Sequence, residues 1–180
     1  MRNYQYITAS LPDIALDYRS GGFDYPSLEG QVKELCSKED VRLIDWLSAG
    51  NNPDILSDYF YNAIEKTGSR FLREYFRFDR KLREAKVAFL EGKPYAPEFE
   101  AAFKESNLIE REKKIDALLW KKADETVTFD VFTFDMILSF LAKARIVERW
   151  SHLDQTAGEE FFKNLVQEVR GTFKGIKEQL

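Results

Sequence analysis

A chain of 180 residues, 44% hydrophobic and 32% charged, is long enough to bury one core and too apolar to stay disordered. The formal net charge of −4 argues against general nucleic-acid binding, and the single cysteine, Cys36, excludes an intramolecular disulfide. The opening Met1-Arg2-Asn3-Tyr4-Gln5-Tyr6 lacks the apolar centre of a secretory signal. The most apolar run, Val131 to Val147, is interrupted by Asp135, Lys143 and Arg145, which excludes a membrane span.

Residues 3–12 alternate Tyr4, Tyr6 and Thr8 with Gln5, Ile7 and Ala9, a period-two pattern expected of a short strand or an extended arm packed on helices. Gly21, Gly22 and Pro26 mark residues 17–26 as loop. Helical spacing then takes over. Ser27 can cap a helix running to about Cys36, and Glu39 to Ala49 carries Val41, Ile44 and either Leu47 or Trp46 on one face. Asn52-Pro53 predicts the next helix start, with Gly68 ending it. Ser69 can cap a long helix to about Glu91, in which Phe71, Tyr75, Phe78, Leu82, Ala85 and Phe89 recur at three and four. After Pro94 and Pro97 a helix is expected around Phe99 and Phe103. Asn107 can cap another, with Leu108, Ile115, Leu118 and Leu119 inward. Residues 124–134 read as a connection into a helix from Phe134 to Trp150, and a last helix is expected from Ala157.

The expectation is therefore a mainly α, single-domain multi-helix bundle with an extended N-terminal arm or short strand. Its parts would be residues 1–26 as arm and loop, 27–92 as a first helical half and 93–180 as a second.

Few residues carry chemistry. His152, the one histidine, sits at a helix end with no ligand- or triad-spaced partners, so its reading is structural. Cys36 reads as an inert thiol. The thirty-one acids are scattered over helix faces, and no glycine pair fits a phosphate loop. No catalytic residue, cofactor or metal site is expected.

One stretch stands apart. From Arg70 to Lys86 lie seven basic and three acidic residues, inside an acidic chain. Arg70, Arg73, Arg77 and Arg80 recur at three and four and form one stripe, continued by Arg83. Arginine is favoured at interfaces because its planar fork grips carboxylates and stacks on rings, so these five predict a face for an acidic partner. The alternative is a solvated stripe paired with acids of the same chain. Arg145, Glu148 and Arg149 interrupt an apolar helix, as an ion pair tying helices together would.

Three blocks carry a family resemblance: Tyr4-Gln5-Tyr6-Ile7-Thr8-Ala9-Ser10-Leu11-Pro12, Tyr75 to Arg83, and Phe132 to Lys143 with Ile146 to Trp150. In these the chain resembles an uncharacterised bacterial family encoded among V-type ATPase subunits, in gene sets that lack a recognisable C/d-type linker. That linker is a non-catalytic helical funnel joining rotor shaft to membrane ring. Asp79, Leu82 and Arg83 form an Asp-x-x-Leu-Arg pattern similar to acidic-x-x-Asn-Leu helices of the C/d-type linker, without the Asn. The resemblance implies a non-catalytic structural or assembly subunit in ion or proton transport, a reduced central-stalk linker being one form of it, with V-type ATPase subunits as partners. It would be cytoplasmic and peripheral on the inner face of the membrane through the complex. The alternative is a helical adaptor or homo-oligomeric interaction domain unrelated to that machine.

Overall fold

The fold comes from a computed structural model, which describes residues 3–18, 23–127, 130 and 132–152. Among these residues are eight α-helices, one 3-10 turn and no strand. The mainly α architecture is as the periodicity predicts, and one helix organises it. α8 (Phe134–Ser151) is buried nearly all round, from Ile137 through Leu141, Ala144 and Ile146 to Trp150. A helix apolar on every side belongs at the centre of a bundle. It packs on α1 (Tyr4–Ser10), α2 (Tyr25–Leu35), α3 (Lys38–Ala49), α5 (Arg70–Leu90) and α7 (Leu108–Thr126).

The N-terminal arm is a correction: residues 4–10 are helical, and only 11–18 run extended. Asn3 caps α1 by accepting from the Tyr6 N–H at 3.3 Å. The spacing Tyr4, Ile7, Leu11 puts one apolar edge against α8, with Ile7 buried and the Tyr4 ring 5.5 Å from that of Phe134. Tertiary burial of that edge outweighs the period-two pattern of the rings. Tyr18 has a left-handed φ of 54°, which costs a non-glycine residue about 1–2 kcal/mol. The Tyr18 hydroxyl donates to the Lys113 carbonyl at 2.9 Å, and its ring meets Trp150 edge-on at 5.1 Å.

Caps set the other boundaries. Asp24, not Ser27, caps α2, and Pro26 falls in its first turn, where a missing N–H costs nothing. Ser37 and Asp40 form a capping box at α3. Asn52-Pro53 does not start a helix: the Asn52 side chain turns the chain by accepting from the Asp54 N–H, and α4 (Asp58–Glu65) begins behind Ser57. Ser69 and Asn107 cap α5 and α7 as predicted. The segment after Pro97 is a 3-10 turn (Pro97–Phe99) and one turn of helix, α6 (Glu100–Phe103). Leu108, predicted to point inward, is 66% exposed, whereas Ile115 is buried. The expected helix from Ala157 lies outside the described residues.

Two apolar clusters result. The larger joins α1–α4, the first half of α5 and α8, around Phe60, Phe71, Phe76 and Leu141. The smaller holds Leu82, Phe99, Phe103 and Ile115 where the far half of α5 meets α6 and α7. Each fully buried Phe or Leu contributes roughly 1.5–3 kcal/mol.

Candidate functional site

The predicted arginine row occupies the α5 face between α4 and α7. All five side chains have partners in the chain, of three kinds. Arg70 and Arg73 reach backbone carbonyls, and Arg70 also pairs with Glu74 at 3.3 Å. Arg70 donates to the Thr126 carbonyl at 2.8 Å, and Arg73 to the Thr67 carbonyl at 2.6 Å, satisfying groups at the ends of α7 and α4. Arg77 and Arg80 face acids that stand in solvent. Arg77 forks onto Glu65 through Nε and one terminal nitrogen, each donating to a different carboxylate oxygen. Arg80 lies between Glu84 at 2.8 Å and Asp58 at 2.9 Å, with the Tyr61 ring 5.3 Å beneath it. The Arg77 guanidinium holds the Glu65 carboxyl below its ordinary range.

Arg83 belongs to a different arrangement. Its Nε donates at 2.8 Å to Asp79, which also accepts from the Tyr61 hydroxyl at 3.0 Å. Arg83 forms part of one wall of a groove of about 340 Å³ bounded by α5, α7, α8 and the turn after α3. That turn passes so close to the core that a Cβ on Gly50 would sit 2.2 Å from the Phe76 ring. Arg145 and Arg149 stand on the opposite wall, one helical turn apart. Arg145 pairs with Glu148 on its own helix, and Arg149 pairs with Asp116 on α7. The Trp150 indole N–H donates to the same Asp116 oxygen at 2.5 Å. The three guanidinium side chains are 43–51% exposed, while the carboxylates of Asp79, Glu148 and Asp116 are 8%, 7% and 1% exposed.

Burial pushes the Asp116 carboxyl up, against the pull of Arg149 and Trp150. Its second oxygen, Oδ1, is buried without a hydrogen-bond partner. Asp116 is thus the one carboxyl here with the setting of a general acid, yet Arg149 and Trp150 occupy one oxygen and protein covers the other. Its visible role is to tie the end of α8 to α7. Burial pulls the Arg83 guanidinium down, but the Asp79 hydrogen bond and charge outweigh it and hold it protonated more firmly than usual.

The remaining candidates are peripheral. His152 closes α8, mostly exposed, with Nε2 3.7 Å from Glu148. Cys36 closes α2, half-buried. Burial first and the Asp40 charge second push its thiol up to about 11. Among the described residues no three His, Cys, Asp or Glu side chains gather as a metal site.

Sequence reading singles out Arg83 and the Arg145–Glu148–Arg149 cluster but not their common groove; it names Asp79 only within the Asp-x-x-Leu-Arg pattern, not as a buried anchor, and misses Asp116 altogether. A signal existed. Asp79 lies on the stripe of Leu72, Phe76 and Leu82, and Asp116 on that of Leu119 and Ala123, where an acid must be buried and paired.

The fold and site define an all-α protein with charged surfaces carried by helix faces. Residues 91–172, somewhat less than half of the chain, are similar to a family whose model is described as a protein of unknown function, DUF2764. The matched stretch begins just past α5 and takes in α6, α7 and α8. No curated protein and no solved structure matches the chain. Among the described residues no helix is long and apolar enough to cross a membrane.

Proposed function

We propose that this chain is a non-catalytic structural subunit of a bacterial V-type ATPase, standing at the central stalk in place of the C/d-type linker and docking through the α5 arginine face. The assignment to that machine rests on the resemblance of the three sequence blocks. The observation that carries a docking role is the exchangeability of two arginines. The ion-pair partners of Arg77 and Arg80 among the described residues are Glu65, Glu84 and Asp58, all on the surface, and Asp58 is 83% exposed. Pairs this exposed are screened by water and salt and hold weakly, so a partner's carboxylates can replace these acids at small cost.

The test is affinity purification of the tagged chain from its native cell after gentle solubilisation. Catalytic, shaft and ring subunits in fixed ratio are expected, together with their loss in Arg77→Glu/Arg80→Glu. Arg70 and Arg73 stay untouched because they hold backbone carbonyls. Absence of all ATPase subunits while the ATPase is intact in the same lysate would sink the assignment. Normal recovery with the double variant would remove the arginine face from it.

A helical adaptor or homo-oligomer is favoured by a different observation. Val87, Leu90, Leu108 and Ile109 are all exposed where the end of α5 meets the start of α7. The Lys86–Glu112 pair at 3.2 Å brings the two helix ends together there. Four side chains fall short of the ~800 Å² per partner of a stable interface, so this patch alone makes a weak contact. Sedimentation of the pure chain as a stable closed oligomer would decide for that reading.

A further inference from the structure

We infer that the groove between Arg83 on α5 and Arg145 and Arg149 on α8 is a binding site for a phosphate group. The inference stands apart from the proposed ATPase role. Three features carry it. First, each guanidinium is pinned from below by a carboxylate that is more than nine-tenths buried, which fixes its direction in advance of any ligand. Second, each guanidinium side chain is about half exposed. One nitrogen of each bonds its acid, so others of its five N–H donors are left for the groove. The nominal charges of the three pairs cancel, but positive charge lies outward and negative charge inward. A ligand meets the cations first. Third, about 340 Å³ takes a small oxyanion or a phosphomonoester. Planar forks on two walls suit a tetrahedral group with several acceptor oxygens better than a single carboxylate. His152 also lines the groove.

The phosphate can be free or the end of a phosphomonoester, and the two sources are separable. Binding of inorganic phosphate and of a nucleoside 5′-monophosphate to the full chain is measured by calorimetry at low ionic strength. Saturable binding of at least one, tighter than about 1 mM, is expected. If the nucleotide binds at least tenfold more tightly, the source is the monoester; comparable affinities indicate free phosphate. Arg83→Lys/Arg149→Lys keeps the charges facing Asp79 and Asp116, and so the fold, but removes the forks. It should weaken binding at least tenfold with an unchanged melting curve. Arg77→Gln/Arg80→Gln, on the neighbouring face, should bind as the parent does. No saturation by either probe below about 10 mM would overturn the site. So would equal losses in the two double variants.

Discussion

Arg80 and Arg83 are three residues apart on one helix, and both pair with a carboxylate at 2.8 Å. They differ in the acid. Glu84, opposite Arg80, is 64% exposed, whereas Asp79, opposite Arg83, is sunk among Tyr61, Tyr75 and Leu82. The same contrast separates the Arg77 and Arg80 face from the groove of Arg83, Arg145 and Arg149. An ion pair's energetic meaning therefore comes from the burial of its less exposed member, not from its distance. A pair with both ends in water can be exchanged. A pair with one end in the core cannot lose its cation without leaving a charge stranded.

The contrast breaks most readily at Arg149. Arg149→Ala leaves the Asp116 carboxylate buried with only the Trp150 N–H, and should cost about 3 kcal/mol in urea unfolding. A loss as small as that of a surface pair would erase the distinction. Next comes pH. Burial raises the Asp116 carboxyl above its unfolded value near 3.9, so the folded chain binds that proton more tightly than the unfolded one. Its contribution is fully present at the acid end and is lost as pH rises through the folded value. The stability of the parent minus that of Asp116→Asn should therefore decline from pH 4 upward, measured by paired melts. A difference rising with pH would reverse the assignment. The smallest effect belongs to the exposed face. Arg77→Ala/Arg80→Ala should leave the urea midpoint close to the parent's, and 1 M salt should abolish any remaining difference.

The fold was legible wherever local chemistry decided it. Ser69 and Asn107 announce their helices because an oxygen at the cap position satisfies N–H groups that nothing else in the next turn can reach. The central helix was visible as an apolar run broken by Lys143 and Arg145. Legibility failed where distant packing decided. Residues 4–10 are helical because α8 covers Ile7, and Leu108 faces outward because α7 meets α5 and α6 about two turns further on, at Ile115. The arginine row was legible as a stripe, since residues at three and four share a face. Its division into backbone clamps, exchangeable pairs and a groove wall was not, because that depends on Thr67, Thr126, Glu65 and Asp79, which periodicity along α5 cannot place. The groove has walls from α5, α7, α8 and the Gly50 turn, and no single stretch of sequence describes it.

One feature far from both arginine sets has a use of its own. With its thiol pushed up to about 11 by burial, Cys36 is overwhelmingly protonated at neutral pH, and reacts with alkylating reagents only as fast as its small thiolate fraction and its cover allow. It is also the sole thiol in the chain. The protein thus carries a built-in clock at the α2–α3 junction. The ratio of its alkylation rate in the folded chain to that in the denatured chain counts how often that junction opens, with no label added and no residue changed.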